Sequence, residues 1–217
     1  MHVLKAAIFD MDGLMFDTEP IWDEAFLMAC EKNGVGLRRE FRDSTIGVSG
    51  VVLANMIEEE YGNGIDGMEF VNYLNTEAYG MFLAGAPKKP GLDNMLNYLK
   101  DRGIKCIIAS SSEIRTIEAH WNANGLDEWF EGIASGQQVK RSKPYPDVFL
   151  LAADKLGVDP SEAVVFEDSN AGVTAGVAGG FKTIMVPDVK APTADSKANA
   201  TAICSTLDEA IEIVENL

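Results

Sequence analysis

The amino-acid sequence predicts an α/β fold: a doubly wound parallel sheet with a smaller helical domain inserted after the first strand. Short runs of apolar residues alternate with segments of helical periodicity, which is the pattern of a parallel sheet covered by helices on both faces. Between residues 15 and 85 no strand-like run occurs, and glycine-containing breaks separate helical stretches. A length of 217 residues suits one sizeable core with a smaller appendage.

The predicted strands are five short apolar runs: residues 3–9, 104–109, 132–135, 163–166 and 183–186. Between and after them, apolar residues at helical spacing form stripes of the kind that packs on a sheet, at residues 92–99, 149–156 and 207–214. We therefore expect residues 1–14 and 86–217 to form the core domain and residues 15–85 the inserted domain. The small, polar segment 190–200 is predicted to be a surface excursion.

The first helix of the inserted domain has a predictable start. Thr18 is a suitable N-cap residue, and Glu19 and Pro20 follow in the first turn, where an acidic residue and a proline are both favourable. The inserted domain is acidic, with 13 acidic and 4 basic residues between positions 15 and 85.

Composition argues against several classes of protein. The net charge of −16 disfavours nucleic acid and anionic membranes as partners, because binding to either depends on lysine and arginine. The longest apolar runs have about six residues, whereas a membrane-spanning helix needs about 20, and the N-terminus lacks a signal-peptide pattern. We expect a cytoplasmic protein. Cys30, Cys106 and Cys204 are far apart among apolar residues and are predicted to be reduced core residues, and His120 is predicted to be structural.

Four polar sequences stand where a parallel sheet binds ligands, beyond the carboxyl ends of its strands. Residues 10–13 (Asp-Met-Asp-Gly), 110–112 (Ser-Ser-Ser) and 167–169 (Glu-Asp-Ser) each follow a predicted strand, and residues 143–147 (Lys-Pro-Tyr-Pro-Asp) precede a predicted helix. Each has a structural explanation by itself: a turn, a capping box with Glu113, an N-cap, and a helix start with a solvated lysine. Together they would bring three carboxylates, a hydroxyl and an amine to one edge of the sheet.

Carboxylates gathered at one edge of a sheet call for a cation. Like charges a few ångströms apart raise each other's pKa and cost stability unless a cation lies between them. The candidate ligands are all oxygens, with no cysteine or histidine near them, and such a set favours Mg²⁺ over zinc. We therefore expect a magnesium site.

The four motifs, in this order, resemble those of the haloacid dehalogenase superfamily, specifically its branch of small sugar-phosphate phosphatases and β-phosphoglucomutase-like proteins. Residues 10–14 (Asp-Met-Asp-Gly-Leu) resemble the first motif, Ser110 the second, Lys143 the third and residues 167–168 (Glu-Asp) the fourth. The inserted helical domain is similar to the cap domain of this branch, so the resemblance covers essentially the whole chain.

The resemblance implies a magnesium-dependent phosphatase of small phosphate monoesters, with sugar phosphates as the expected substrates. Asp10 is the implied nucleophile, which forms an aspartyl phosphate, and Asp12 is the implied general acid and base. Ser110 and the amide of Ser111 are implied to hold the phosphoryl oxygens, and Lys143 to offset negative charge.

The resemblance also implies the metal ligands and the substrate contacts of the cap. Mg²⁺ would be held by the Asp10 side chain, the backbone carbonyl of Asp12 and Asp168, with Glu167 as a direct or an indirect partner. The implied cap contacts to the substrate are Glu19, Gly47 and Ser49. The implied partner is a small phosphorylated metabolite, and a monomer is expected.

Two alternatives to this phosphatase stay open. In β-phosphoglucomutases, an arginine that grips the second phosphate and a histidine near the catalytic acid stand where this chain has Gly50 and Trp22, so a phosphosugar mutase is disfavoured. A non-catalytic protein that binds a phosphorylated metabolite would have no need for the complete set of catalytic residues that this chain carries. The physiological substrate is left unnamed by the sequence.

Overall fold

A computed structural model describes residues 4–48, 50–62 and 64–217. The strands are β1 (Ala6–Phe9), β2 (Lys105–Ser110), β3 (Phe130–Ser135), β4 (Ala163–Glu167), β5 (Lys182–Met185) and β6 (Ala202–Ile203). Within these residues they form one parallel sheet of six strands, in the order β3-β2-β1-β4-β5-β6. The predicted α/β fold with a doubly wound parallel sheet is confirmed.

The central position of β1 determines where the site forms. Phe9, its last residue, lies opposite Ile108 of β2 and Phe166 of β4. The carboxyl ends of three neighbouring strands therefore meet at one edge of the sheet, which is where the polar motifs follow them.

The five predicted strands are present, with ends that differ by up to three residues; residue 3, which begins the first predicted strand, lies outside the described residues. The sequence did not predict β6. This strand has two residues and pairs with β5 at the edge of the sheet, without an apolar run to reveal it.

Helices account for most of the remaining chain. They are α1 (Glu19–Lys32), α2 (Arg39–Ser44), α3 (Gly50–Tyr61), α4 (Gly67–Phe82), α5 (Leu92–Asp101), α6 (Ile114–Asn124), α7 (Asp147–Leu156), α8 (Asn170–Ala178), α9 (Ala194–Asn199) and α10 (Leu207–Val214). The apolar stripes predicted for α5, α7 and α10 are largely buried. The predicted surface excursion contains α9, a short helix whose residues are mostly exposed and whose start is capped by Thr193.

The chain forms two compact units. The residues up to Asp17 join Pro87–Leu217 in the α/β unit, and Thr18–Ala86 form the helical unit. These boundaries lie three residues and one residue later than the predicted domain boundaries. Whether the helical unit acts as a cap stays a prediction.

The helical unit contains α1 to α4 around its own aromatic core. The rings of Phe26 and Phe70 meet edge to face with centroids 5.3 Å apart, and Ile57 and Phe82 are fully buried. Thr18 occupies the N-cap position of α1, but its φ and ψ of −94° and −17° are helical rather than extended, and its side chain makes no capping hydrogen bond with the described residues. The predicted side-chain cap is therefore wrong.

The three cysteines are buried free thiols, as predicted. In residues 4–48, 50–62 and 64–217, no helix combines the length and the apolar character needed to span a membrane.

Candidate active site

Asp10 is the first residue after β1, and its side chain is buried. Its backbone N–H donates to the carbonyl of Phe166 at 3.0 Å, which continues the pairing of β1 with β4 and sets Asp10 beside the end of β4. The carboxylate Oδ1 accepts a hydrogen bond from Lys143 Nζ at 2.5 Å. The pairing of β1 with β4 therefore positions Asp10, and the ammonium group of Lys143 lies against its carboxylate.

Lys143 lies four residues before α7, and its side chain is only 8% exposed. Its Nζ also donates to Glu167 Oε1 at 2.5 Å. Burial lowers the pKa of Lys143, but Asp10 and Glu167 more than offset this effect, so that its pKa stays above the usual value. The lysine is thus a buried, charged bridge between two carboxylates, and the interpretation of Lys143 as a solvated residue at a helix start is wrong.

The side chain of Glu167, the last residue of β4, accepts hydrogen bonds at both carboxylate oxygens and packs against a glycine. Its Oε1 accepts from Lys143, and its Oε2 accepts from the backbone N–H and the hydroxyl of Ser169 at 2.8 and 2.9 Å. Gly172 of α8 packs directly on this carboxylate, where a Cβ atom would overlap it. Ser169 also caps α8 by accepting from Gly172 N–H, as the N-cap interpretation predicted.

The site contains more negative charge than Lys143 balances. One ligand oxygen from each of Asp10, Glu167 and Asp168 lies within 4.8 Å of the others. Burial raises the pKa of Asp10 to about 8, with Lys143 opposing and Glu167 adding to the rise. Burial, Glu167 and Asp10 likewise raise the pKa of Asp168 well above its usual value.

A divalent cation fits this arrangement. With their pKa values raised, the Asp10 and Asp168 carboxylates are ionised at neutral pH only if positive charge beyond that of Lys143 is supplied. The donors are all carboxylate oxygens, the ligands that Mg²⁺ prefers. The donor set of the described residues therefore agrees with the predicted magnesium ion.

The side chain of Asp12 contacts serine hydroxyls at the end of β2 and in the loop that follows it. Its Oδ2 accepts from the hydroxyl of Ser112 at 2.8 Å and lies 3.4 Å from that of Ser110. Ser110 ends β2, and its hydroxyl accepts from Ser112 N–H at 3.0 Å. The capping-box explanation of Ser110 is wrong, because α6 begins at Ile114 with Glu113 in its N-cap position. Asp12 Oδ1 is buried and has no hydrogen-bond partner among the described residues.

The end of β3 and the residue that follows it contact the loop of Ser110, Ser111 and Ser112. The hydroxyl of Ser135 donates to the carbonyl of Ser112 at 2.7 Å. Gly136 packs against Ser111, where a Cβ atom would lie 2.9 Å from the carbonyl oxygen. Ser112 was missed as a functional candidate, although the run of three serines after a strand was a signal for it.

His120 lies beneath the first loop rather than in the cluster. It is fully buried and stacks on Phe16, with ring centroids 5.0 Å apart. Burial lowers its pKa while the charge of Asp12 opposes this effect. Phe16 forms backbone bridges with Asp12 and Lys88, so the stack supports the loop, in agreement with a structural role for His120.

A second ion pair that the sequence did not reveal flanks the turn at Gly13. Lys89 Nζ lies 2.6 Å from Asp188 Oδ1. Gly13 has a φ of +81°, and a Cβ atom there would lie 2.6 Å from Asp168 Oδ2 and 3.1 Å from Asp188 Oδ2. Asp188 follows β5 by three residues, so the rule that pointed to the other motifs could also have found it.

Of the three predicted cap residues, Glu19 and Gly47 are described by the structure, and both lie in the helical unit. Glu19 Oε2 accepts from Arg42 Nη2 at 2.8 Å, and Gly47 is exposed with a φ of +79°. Ser49 lies outside the described residues. The substrate contacts assigned to these three residues stay predictions.

Comparison with known proteins identifies the family. The profile of haloacid dehalogenase-like hydrolases matches residues 4–180. Hexitol phosphatase B of Escherichia coli (strain K12) is 34% identical over 186 residues, which cover 85% of this chain and 84% of that protein. Phosphorylated carbohydrates phosphatase of Thermotoga maritima is 32% identical over 186 residues, which cover 83% and 84% of the two chains.

A solved structure extends the likeness to nearly the whole fold. The crystal structure of β-phosphoglucomutase from Clostridium difficile matches with a TM-score of 0.79 over 99% of this chain and 98% of that chain, at 23% identity. This similarity shows the fold alone, whereas the family profile and the two phosphatases support the enzyme class. The predicted assignment as a phosphoric monoester hydrolase is confirmed, and the chain belongs to the haloacid dehalogenase-like hydrolase family.

Proposed function

We propose that the protein is a magnesium-dependent phosphatase that hydrolyses small phosphate monoesters, with phosphorylated sugars or sugar alcohols as the substrate class. The observation that carries this proposal is the Asp10 carboxylate, buried at the end of β1 and held by Lys143, with Asp12 two residues further on. A nucleophile, a cation and a proton-transfer group thus meet at one edge of the sheet.

In the first step, a carboxylate oxygen of Asp10 attacks phosphorus, and the bond from phosphorus to the leaving oxygen breaks. The leaving oxygen takes a proton from Asp12 and departs as an alcohol. In the second step, water attacks the aspartyl phosphate while the Asp12 carboxylate accepts its proton, and the bond from phosphorus to Asp10 breaks to release inorganic phosphate.

Ser110, the amide of Ser111 and Lys143 hold the phosphoryl oxygens and offset their charge. Ser110 and Ser112 both contact Asp12, so the loop that binds phosphate also orients the proton-transfer group. This double use of one loop supports a role for Ser112 as a positioning residue.

The magnesium ion is assigned to the Asp10 side chain, the Asp12 carbonyl and Asp168. When bound, Mg²⁺ neutralises negative charge on the nucleophile and on the phosphoryl group. Both oxygens of Glu167 already accept hydrogen bonds from Lys143 and Ser169, which favours an indirect role for Glu167 over direct ligation.

The substrate class is inferred from the relatives, whose names refer to a hexitol and to phosphorylated carbohydrates. Glu19 carries an acceptor suited to sugar hydroxyls, and Gly47 and Ser49 complete the proposed cap contacts. Gly50 leaves this chain without the cap arginine that a bisphosphate intermediate requires, so hydrolysis is preferred to a mutase reaction.

The test is phosphate release from p-nitrophenyl phosphate and from a panel of phosphorylated sugars, sugar alcohols and nucleotides, with Mg²⁺ and with a chelator. We expect activity that the chelator abolishes and that Asp10→Asn lowers by more than about 10⁴-fold. Wild-type turnover by Asp10→Asn would exclude the covalent mechanism. Absence of metal-dependent release from every ester would favour a protein that only binds a phosphorylated metabolite.

Within the same panel, β-glucose 1-phosphate separates hydrolysis from phosphoryl transfer. We expect inorganic phosphate and glucose as its products, at a rate that depends on Mg²⁺. Formation of glucose 6-phosphate as the main product would instead identify a mutase.

A further inference from the structure

The segment after β5 carries an acidic side chain whose position the proposed reaction does not explain. Asp188 is 14% exposed, and its Oδ1 accepts from Lys89 Nζ at 2.6 Å. Its other oxygen faces Gly13, the residue that Asp168 also contacts, because a Cβ atom at Gly13 would lie within about 3 Å of both carboxylates. Asp188 thus stands behind the same turn as a proposed metal ligand.

Hydrogen bonds fix the position of Lys89 and that of the segment after Asp188. The backbone N–H of Lys89 donates to the carbonyl of Met15 at 2.8 Å, which ties the lysine to the loop that carries Asp10 and Asp12. Further along the segment, Asn170 at the start of α8 binds Ala191, Thr193 and Ser196 through hydrogen bonds of 2.7–3.1 Å.

The opposite charges of Asp188 and Lys89 determine how each residue affects a cation bound nearby. The negative charge of Asp188 attracts a cation bound at Asp168, and the positive charge of Lys89 opposes that attraction. A partly screened unit charge about 10 Å or less from a divalent ion changes the affinity by about three- to tenfold. The two residues therefore act on the cation in opposite directions.

We propose that Asp188 and Lys89 set the affinity of the magnesium site: Asp188 is a further acidic group that acts through its charge from behind the Gly13 turn, and Lys89 limits its effect. This inference rests on the magnesium site of the proposed function. Neither residue touches the phosphate in the proposed reaction, so both are positioning residues whose effect is read as metal affinity.

The structure offers a matched control. Lys88 and Asp93 form an adjacent ion pair of the same kind, with Nζ 2.7 Å from Oδ1, but Asp93 is 57% exposed at the start of α5. An exposed pair is screened by solvent and contributes little. Removing its charges reports the general effect of changing net charge in this region.

The experiment measures the dissociation constant of Mg²⁺ alone, without substrate, by isothermal titration calorimetry on the full chain. We expect Asp188→Asn to weaken binding by about three- to tenfold and Lys89→Met to strengthen it, whereas Asp93→Asn and Lys88→Met change it by less than about twofold. Wild-type affinity in Asp188→Asn would overturn the proposal. Weaker binding in both Asp188→Asn and Lys89→Met would also overturn it, because the ion pair would then support the structure of the site without acting through its charges.

Two further measurements keep the outcome interpretable. If Asp188→Asn does not fold, the double variant Lys89→Met/Asp188→Asn removes both charges, and we expect it to bind Mg²⁺ within about twofold of the wild type; a larger change contradicts the proposal. Wild-type protein that binds no Mg²⁺ would refute the metal site of the proposed function itself, which is a different result from a normal wild type with an unchanged Asp188→Asn.

Discussion

Each unit of the molecule contains a buried cation between two carboxylates, and the two clusters differ in what surrounds them. In the α/β unit, Lys143 bridges Asp10 and Glu167, and none of these side chains is more than 8% exposed. In the helical unit, Arg42 is 4% exposed and pairs with Glu19 and Asp23, which are 24% and 41% exposed. The cations are similar, but the anions are not.

From this difference we expect the Lys143 cluster to affect catalysis and the Arg42 cluster to affect mainly stability. Solvent stabilises the charges of Glu19 and Asp23, so the Arg42 cluster needs no further cation. The carboxylates around Lys143 are shielded from solvent, and burial raises the pKa of Asp10 to about 8, so the ionised form of Asp10 depends on additional positive charge. We therefore expect burial of the anions, more than burial of the cation, to distinguish the proposed metal and substrate site from a structural ion pair.

After replacement of the proposed nucleophile, the largest effect is expected from Asp12, the proposed proton-transfer group beside the Lys143 cluster. Asp12→Ala should lower kcat by about 10²- to 10⁴-fold, because general acid and base catalysis contributes rate enhancements of that size. The Asp10, Glu167 and Asp168 side chains stay in place, so calorimetry should show Mg²⁺ binding close to that of the wild type. Loss of metal binding together with activity would contradict the assignment of Asp12 to proton transfer.

Removal of the bridging cation tests the Lys143 cluster directly. Lys143→Met should lower kcat by about 10²- to 10³-fold, because a fixed charge at the proposed nucleophile is lost and two buried carboxylates are left without their partner. Steady-state assays at saturating Mg²⁺ measure this loss. Lys140→Met, which removes an exposed lysine three residues earlier, is the control and should stay within about twofold.

The corresponding change in the helical unit should affect stability. Arg42→Met should lower the free energy of unfolding by about 1–3 kcal/mol, since a buried ion pair is broken but its carboxylates are partly exposed. Urea denaturation measures the change. A loss of kcat as large as that of Lys143→Met would mean that the two clusters share a catalytic role, and the contrast between them would fail.

A smaller effect is expected from the hydrogen bond that holds Asp12. Ser112→Ala removes the 2.8 Å contact from Ser112 Oγ to Asp12 Oδ2 and should lower kcat by about tenfold, the amount that one hydrogen bond to a charged group contributes. The matched control is Ser161→Ala, at an exposed serine outside the site. Unchanged kcat in Ser112→Ala would show that Ser110 orients Asp12 alone.

The smallest effect concerns a buried thiol of the sheet. Burial raises the pKa of Cys106 to about 12, so the native protein holds it as an unreactive thiol at pH 8. The unfolded chain ionises near the ordinary pKa of about 8.5, so the folded state binds this proton more tightly and the free energy of unfolding falls as pH rises above about 9.

A thiol reagent such as Ellman's reagent checks this prediction. At pH 8 it should modify Cys106 slowly in the native protein and all three cysteines rapidly in urea. Modification of Cys106 at the same rate in both conditions would contradict its burial in the sheet.

Much of the fold and of the site was predictable because both follow local rules. Five strands each contain a short apolar run, and a chain that alternates such runs with amphipathic helices has few alternatives to a parallel sheet. Asp10, Ser110 and Glu167 occupy the ends of three neighbouring strands, so the rule that ligands bind at carboxyl ends brought them together before any distance was known. The helical insertion was equally visible, since it lacks strand-like runs.

Other features depend on partners that are distant in the chain. The two residues of β6 form a strand only because β5 offers them an edge. Threonine is a residue type that commonly caps helices, but the backbone of Thr18 is helical and its side chain is buried, so it makes no side-chain cap with the described residues. Lys89 and Asp188 are 99 positions apart, and no local pattern predicts that they form an ion pair beside Gly13.

The sequence by itself determined the fold class, the family resemblance and the identity of the residues at the sheet edge, because apolar periodicity and the order of short motifs are properties of the chain. Only the tertiary structure decided how those residues share charge: Lys143 between Asp10 and Glu167, Ser112 on Asp12, and Lys89 on Asp188. The physical reason is that pKa values and metal affinity depend on burial and on distances between charges, which folding sets.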